Sequence, residues 1–264
     1  MSIEPRIIHE DTVLIALDKP GGMPSASLKS GESGTLASWL LEKHPELKGL
    51  PKGEIEAGLV NRLDNDTSGI VVTAKTAEAY EDLRRQFSEG SAEKEYLALV
   101  IGSPPEDGSI DVPIAHHPKK KKRMVACESD ERAHEWRGRP ASTKFRVTGR
   151  FEFTDDEGTS SDYALLQVSI STGVRHQIRV HLAYIGCPVA GDVLYRNPKK
   201  RASDRLGLER HFLHASKLAI LHPETGERTA FESPLPPDLE NALKKLHEAS
   251  EAREAREASE TPVL

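Results

Sequence analysis

Apolar runs with the length of buried strands recur along this chain, and helical patterns separate only some of them. Residues 13–17 and the segments GIVVTAK and KEYLALVIG each carry such a run, bounded by Gly, Pro or charged residues. ASTKFRVTGRFEF and DYALLQVSIST follow as a pair of strands around an acidic turn. Because no regular βαβ repeat is present, we predict an α+β fold with a mixed, largely antiparallel central sheet and flanking helices.

Helix signals lie between these strands. GTLASWLLEKHPEL has Thr35 as N-cap and ends before Pro45, and TAEAYEDLRRQFSEGS has Thr76 as N-cap and Gly90 as its stop. HQIRVHLAYIG also has apolar residues at helical spacing. The last residues are rich in Glu, Ala and Arg, so we expect one folded domain over residues 1–240 and a charged helical or disordered tail over 241–264.

The charge of the chain is unevenly distributed. The net charge is −6, yet residues 116–150 hold 11 Lys and Arg against 4 Asp and Glu, and residues 174–217 hold 9 against 3. Clustered positive charge on an acidic protein indicates a binding site for a polyanion.

Several protein classes lack support in the sequence. No apolar run approaches the ~20 residues that span a bilayer, and the N-terminus does not resemble a signal peptide. With only Cys127 and Cys187, no disulfide framework is expected, and we predict a cytoplasmic protein without membrane contact. Because the eleven histidines form no metal-ligand motif and no P-loop is present, we predict neither a metal site nor a nucleotide site.

Two short stretches carry reactive side chains. NRLDNDTSG places Arg62, Asp64, Asp66 and Thr67 together immediately before an apolar run. KEYLALV places Tyr96 at the start of a strand, between charged residues. We expect Asp66 and Thr67 to fix their loop through hydrogen bonds from side chain to backbone.

The segment TGVRHQIRVHLAYIGCPVAGDVLY gathers Arg175, His176 and Arg179 at the start of a helix. Arginine at a helix N-terminus is unfavourable against the helix dipole by roughly 0.3–1 kcal/mol. We therefore expect a carboxylate or phosphate to meet these residues.

Taken in order, these three stretches resemble the RluA/RluD-type pseudouridine synthases. That family shows R-L-D-x-x-T-S-G, a Lys-x-Tyr strand, and G-R-T-H-Q-I-R-V-H-L followed by G-D-x-x-Y; this chain has RLDNDTSG, KEY and HQIRVHLAYIGCPVAGDVLY. LDKPGGMPS, FLHASKLAILHPETGE and SPLPPDL extend the resemblance over about residues 10–240. The family usually has His at Asn61 and Arg-Thr at Val174 and Arg175. We expect a catalytic domain without the S4-type RNA-binding domain of the family.

The resemblance implies an isomerase that converts a flipped-out uridine of ribosomal or transfer RNA into pseudouridine. The N1–C1′ bond breaks, the uracil rotates and C5 joins C1′, without a redox step and therefore without a cofactor. Asp64 would act as nucleophile or proton acceptor; attack at C1′, attack at C6 and a glycal route all remain open. Arg179 would keep Asp64 ionised, Tyr96 would lie against the uracil ring, and Arg62 would fill the space left by the base.

RNA is the partner that the resemblance implies, and we expect the protein to bind it as a monomer. Without an S4 domain, RNA must be held by the catalytic domain, and the basic stretches 119–123 and 196–210 are candidates. The predicted substrate-binding residues are Arg62, Lys119, Lys120, Lys121, Lys122, Arg123, Arg175 and His176.

Two other interpretations stay open. A catalytically silent RNA-binding protein of the same fold would have no need of Asp64, Tyr96 and Arg179 together. A hydrolase that uses Asp64 and a histidine would have a small-molecule pocket and no basic surface.

Overall fold

The computed structural model describes residues 4–155, 158–196 and 206–260, without the side chains of residues 254 and 256–260. Its strands are β1 (Arg6–Glu10), β2 (Leu14–Lys19), β3 (Ser68–Ala74), β4 (Glu93–Ile101), β5 (Asp107–Ile110), β6 (Ile114–His116), β7 (Met124–Ala126), β8 (Thr143–Thr154), β9 (Ser160–Ile170), β10 (Leu213–Leu221) and β11 (Arg228–Glu232). Its helices are α1 (Leu36–Lys43), α2 (Gly53–Glu56), α3 (Ala77–Glu89), α4 (Asp130–Glu135), α5 (Gln177–Tyr184) and α6 (Pro237–Glu260), with a 3-10 helix at Pro45–Gly49.

A single large sheet organises the described part of the chain. Eight of its nine strands lie in the order β1-β2-β3-β10-β4-β9-β8-β5, and β11 pairs with β10. The pairing of β3 with β10 is parallel, whereas the other pairings in the sheet are antiparallel. Strands β6 and β7 form a separate two-stranded sheet. The predicted α+β fold with a mixed, largely antiparallel sheet is therefore confirmed.

The contact between β3 and β10 is short and close. Gly69, opposite Ala215, has a φ of 112°, and a Cβ at Gly69 would lie 2.2 Å from the carbonyl oxygen of Ala215. Glycine is required here both by the left-handed backbone and by the missing space. Beyond this contact β10 continues beside β11, with Lys217 opposite Glu232. The loop before β3 is thereby placed against the start of β10.

Both sides of strand β2 are buried, because successive side chains of a strand point to opposite faces. Ile15 and Leu17 belong to the core cluster that includes side chains of α1 and α5. Leu14 and Ala16 belong to a second cluster that includes side chains of α3. Helices therefore cover the sheet on both faces, as the near-continuous apolar run of β2 requires.

The predicted helix ends are confirmed. The side chain of Thr35 accepts a hydrogen bond from Ser38 N, and Ser38 Oγ accepts one from the backbone N–H of Thr35, which completes a capping box for α1. Thr76 caps α3 by accepting from Ala79 N, and Gly90 ends this helix with a φ of 79°. These caps satisfy backbone groups that helix termini otherwise leave unpaired.

Helix α6 crosses position 240, where the domain was expected to end. Leu239, Ala242 and Leu246 are buried in a cluster with Phe151 and Phe212. The first turns of this helix are therefore packed on the core, whereas residues 251–253 are exposed. A division between domain and tail at residue 240 stays a prediction.

Three further observations concern only the residues that the structure describes. No helix there is both long enough and apolar enough to span a membrane. No three His, Cys, Asp or Glu side chains come together as potential metal ligands. Cys127 and Cys187 are both buried and unbonded.

Candidate active site

Asp64 lies in the loop that leads into β3, and two buried side chains bind the backbone of this loop. Ser25 Oγ donates to the carbonyl oxygen of Leu63 over 2.9 Å and accepts from Leu63 N over 3.1 Å. The fully buried Lys19 donates from Nζ to the carbonyl oxygen of Asn65 over 3.0 Å. Burial lowers the pKa of Lys19 to about 7. The backbone on each side of Asp64 is thus fixed by side chains distant in sequence.

Arg210 binds the next part of the same loop. It donates from Nη1 to the carbonyl oxygen of Asp66 over 2.7 Å and from Nη2 to Ser68 Oγ over 3.2 Å. Asp238, in the first turn of α6, holds the guanidinium through two contacts of 2.6 and 3.1 Å. Gly21 leaves room for this arginine, because a Cβ there would lie 2.5 Å from Arg210 Nε.

The expected roles of Asp66 and Thr67 are wrong in detail. Thr67 Oγ1 lies 2.8 Å from Nε2 of the buried His211, so its side chain bonds another side chain instead of the backbone. The carboxylate of Asp66 is exposed and makes no hydrogen bond within the described ranges. His214 Nδ1 lies 3.0 Å from Ser68 Oγ and completes the support. His211, just before β10, and His214, on β10, therefore bind the side chains of this loop. Local hydrogen bonds to the backbone were expected instead.

Arg179, in the first turn of α5, joins two carboxylates. Its Nη1 donates to Asp64 Oδ2 over 2.8 Å, as the resemblance implied. Its Nε and Nη2 donate to Asp192 Oδ2 and Oδ1 over 2.7 and 3.0 Å. Burial alone would lower the pKa of Arg179, but the two carboxylates outweigh it and raise that pKa. A carboxylate partner for this arginine was expected from its place at the helix start, and two are present.

Asp192 was quoted in the sequence motif but given no role. It is buried, and besides Arg179 it accepts from Leu194 N and Tyr195 N over 2.8 and 3.1 Å. Burial would raise the pKa of Asp192, but the bonds from Arg179 and the backbone hold it below its usual range. In the sequence, the Gly-Asp-x-x-Tyr motif marked Asp192, but no local pattern indicated that its carboxylate would bind Arg179.

Asp64 differs from Asp192 in one respect that matters chemically. Its side chain is 22% exposed, and Oδ1 has no hydrogen-bond partner among the described residues. His176 Nε2 lies 3.8 Å from Oδ1. Arg179 therefore binds one oxygen of the carboxylate, and the other has no hydrogen bond from the described residues.

Tyr96 lies on β4 within the core cluster that includes Leu63. Its side chain is mostly buried, and its hydroxyl makes no hydrogen bond in the described part of the chain. Burial raises the pKa of Tyr96, and the charge of Asp64 adds to this effect. The hydroxyl of Tyr96 is thus neutral, and the side chain is near enough to Asp64 to feel its charge, where the resemblance implied a surface for the base.

His176, near Asp64, pairs with Tyr195. His176 Nδ1 lies 2.7 Å from Tyr195 Oη, which accepts from Met124 N over 2.8 Å. The backbone of His176 is left-handed, with φ 57° and ψ 18°, which is strained for a residue with a Cβ. The neighbouring Arg175 is exposed and reaches His176 Nε2 only at 3.4 Å.

The residues of the predicted basic run, 119–123, lie in two different environments. Lys119, Lys120, Lys121 and Lys122 are exposed on the turn between β6 and β7. Arg123 is half-buried, with its guanidinium 5.3 Å from the ring centre of Tyr195, and Arg179 lies 5.2 Å from the same ring. In the second basic stretch, 196–210, residues 197–205 lie outside the described residues.

Arg62 is bound to a residue outside this site. Its side chain is 62% exposed and bonds Glu56 over 2.7 Å. Glu56 is itself buried, so it fixes one end of the pair. Asp64, Arg179, Tyr96 and His176 converge, whereas Arg62, Arg175 and the four lysines stay at the surface.

Comparison with known proteins identifies the family of this chain. Residues 13–184 match the protein family described as RNA pseudouridylate synthase. The chain belongs to this family. It is 40% identical over 248 residues, 93% of this chain, to the "Ribosomal large subunit pseudouridine synthase D" of Nitrosomonas europaea. It is 35% identical over 252 residues, 92% of this chain, to the protein of the same name from Xanthomonas campestris. The chain spans 66% of the first relative's length and 70% of the second's.

A solved structure shares the fold. "Human RNA Pseudouridylate Synthase Domain Containing 4" matches with a TM-score of 0.65 and 25% sequence identity, covering 91% of this chain and 92% of that one. The family and the fold class that the three sequence motifs indicated are therefore both confirmed.

Proposed function

We propose that this protein isomerises a uridine of structured RNA to pseudouridine, with Asp64 as the reacting carboxylate. The observation that carries the proposal is the asymmetry of Asp64: Arg179 binds Oδ2 at 2.8 Å while Oδ1 has no hydrogen-bond partner among the described residues. A nucleophile or general base needs a free lone pair in reach of the substrate. The position of Oδ1 supports this role.

The environment of Asp64 suits a reaction without a cofactor. The isomerisation breaks N1–C1′ and forms C5–C1′, so it needs no external oxidant, reductant or group donor. Arg179 supplies a fixed positive charge that pairs with the carboxylate and orients it through the bond to Oδ2. The same geometry serves attack at C1′, attack at C6 and proton abstraction on a glycal route, and the proposal holds for all three.

The target base would be held by Tyr96. A uridine must leave its stack to reach Asp64, at a cost of a few kcal/mol that is smaller in loops. The buried ring of Tyr96 would lie against the uracil between cleavage and rejoining. Arg62, exposed and anchored by Glu56, would enter the space that the base leaves.

The rest of the RNA would be bound by basic residues near the pocket. The four exposed lysines 119–122 would contact phosphates, and the half-buried Arg123 would lie between this turn and the pocket wall at Tyr195. Phosphate contacts of this kind add affinity without sequence preference. On this proposal the protein acts in the cytoplasm as a monomer and without a cofactor.

The names of the relatives favour one substrate. Both are called ribosomal large subunit pseudouridine synthase D, so we propose ribosomal RNA of the large subunit over transfer RNA. The test is a map of pseudouridines in total RNA from cells that lack the gene, and from cells in which it is restored as wild type or as Asp64→Asn. We expect at least one uridine of large-subunit RNA to be modified only with the wild type.

Other outcomes of this test are equally informative. A difference confined to transfer RNA would refute the proposed substrate while keeping the proposed chemistry. No difference at any uridine, together with RNA binding by the purified protein, would favour a catalytically silent RNA-binding protein.

A further inference from the structure

The hydroxyl of Tyr195 determines which nitrogen of His176 carries the proton. Tyr195 Oη accepts a hydrogen bond from Met124 N over 2.8 Å, and its own proton has one acceptor in the described part of the chain, His176 Nδ1 at 2.7 Å. If Nδ1 carried a proton, the mostly buried tyrosine hydroxyl would have no acceptor. The network therefore assigns the neutral tautomer with its proton on Nε2.

The charges around His176 favour this neutral form. Burial lowers the pKa of His176, and Arg179 and Arg175 act in the same direction, against Asp64 and Asp192, which raise it. One contact points to the other tautomer, because Arg175 Nε lies 3.4 Å from His176 Nε2 as a potential donor. That contact is long and belongs to an exposed side chain, whereas the Tyr195 bond is short and sheltered.

The protonated Nε2 faces the free oxygen of Asp64. The two atoms are 3.8 Å apart, too far for a hydrogen bond between them but close enough to bind one substrate atom together. A group that fits must accept from the imidazole and donate to the carboxylate, which a hydroxyl does. In uridine the uracil carbonyls only accept and N3–H only donates, so a ribose hydroxyl is required.

We propose that His176 and the Oδ1 atom of Asp64 together bind the ribose 2′-hydroxyl of the target uridine. This hydroxyl is on the carbon next to C1′, whose bond is broken and re-formed in the function proposed above, on which this inference rests. The left-handed backbone of His176 is strained, and its imidazole makes no capping bond to α5 that would account for the strain. Backbone strain of this kind clusters at functional sites. Tyr195 is then a positioning residue, acting through the imidazole.

The tautomer can be tested on the protein alone. Long-range nitrogen-15 spectra of histidine-labelled protein should show His176 neutral with the proton on Nε2. In Tyr195→Phe the ring that Arg123 and Arg179 both approach is retained and only the hydroxyl is removed, so the spectrum should move toward the other tautomer. A wild-type spectrum with the proton on Nδ1 would overturn the assignment, whatever the protein does to RNA.

The ligand is tested by crossing an enzyme variant with a substrate variant. Competition binding at a temperature low enough to prevent turnover would compare an RNA fragment that the protein modifies with the same fragment carrying 2′-deoxyuridine at the target. The wild type should lose about tenfold in affinity or more, as for a hydrogen bond to a charged group. In His176→Ala this ratio should fall below about threefold, because one of the two bonds is already absent.

Arg175→Ala is the matched control at the neighbouring position. It should weaken binding of both fragments equally and keep the wild-type ratio. If His176→Ala also keeps the wild-type ratio while the fragment is still modified by the wild type, the 2′-hydroxyl site is wrong and the proposed function stands. If the wild type modifies no RNA, the proposed function itself fails.

Discussion

The loop of Asp64 and the turn of the four lysines are built in opposite ways. Hydrogen bonds to residues 65–68 come from side chains 46 to 146 positions away, namely Lys19, Arg210, His211 and His214. Side-chain bonds within the turn come from His117 Nδ1, which accepts from Lys119 N and Lys120 N, two and three positions away. In the described part of the chain, side chains distant in sequence bind the first segment, whereas a neighbouring side chain binds the second.

This difference fits the role that we propose for each segment. A reacting carboxylate must be held to within a fraction of an ångström, because small misplacements cost large factors in rate. Phosphate contacts tolerate changes in the position of a lysine, because the attraction between charges depends weakly on exact geometry and the RNA backbone can adjust. We therefore expect substitutions in the first segment to change turnover and substitutions in the second to change affinity.

Asp64→Asn should have the largest effect. The change preserves size and shape but removes the charge and the reactive oxygen, so pseudouridine formation should fall by about 10³-fold or more. RNA binding and the melting temperature should stay close to those of the wild type. The measurement is single-turnover formation of pseudouridine, detected by mass shift after chemical derivatisation.

Asp66→Asn is the control for this variant, two residues away with the same chemical change. Its exposed carboxylate makes no hydrogen bond in the described ranges, so activity should stay within about threefold of wild type. Equal loss in both variants would mean that charge in the loop, and not the free oxygen of Asp64, is what the reaction needs.

Arg179→Met should damage both stability and turnover. It leaves the buried Asp192 and the partly buried Asp64 without their shared partner, which costs about 3–5 kcal/mol in the free energy of unfolding. The wild-type pKa of Asp192 is lowered, so its contribution is present above the unfolded pKa and is lost as pH falls through the folded value. The stability difference between variant and wild type should therefore shrink on acidification.

Denaturant unfolding at several pH values checks this prediction. A difference that does not change between neutral and acidic pH would show that poorer packing, and not the unpaired carboxylates, accounts for the damage.

Arg210→Ala should have an intermediate effect. It removes the donors to Asp66 O and Ser68 Oγ but touches no reacting group, so the turnover number should fall by about 10- to 100-fold with little change in KM. Asp238→Asn leaves the arginine in place and weakens only its anchor, and should lose less. Similar losses in both variants would imply that the position of α6 matters more than the loop contacts. Steady-state kinetics on one RNA substrate separates the two.

Replacing Lys119, Lys120, Lys121 and Lys122 by Gln should change turnover least. RNA affinity should fall, and the slope of log affinity against log salt should flatten by about 0.7–0.9 for each phosphate that the turn no longer neutralises. The turnover number at saturating RNA should stay within about twofold. Arg123 is left intact, because its guanidinium approaches the ring of Tyr195, the partner of His176. An unchanged slope would show that the turn does not touch RNA.

The amino-acid sequence was sufficient for features that depend on neighbouring residues or on a motif. Thr35, Thr76 and Gly90 marked helix ends correctly because capping acts within a few positions. The strand order remained open, but the lack of a βαβ repeat was enough to predict a mixed sheet. The pairing of Asp64 with Arg179, 115 positions apart, came from resemblance to the family and not from local pattern.

Tertiary structure decided the contacts that surround Asp64. Asp192 reaches Arg179, Tyr195 reaches His176, and Lys19 and Arg210 reach the loop of Asp64 only after the strands have assembled. No local spacing in the sequence signals these contacts. Thr67 illustrates the reason: its hydroxyl could serve a local turn, but folding brings a buried imidazole to 2.8 Å, and that partner replaces the local one. Burial makes each unpaired polar group costly, so the folded chain, and not the residue type, selects the partner.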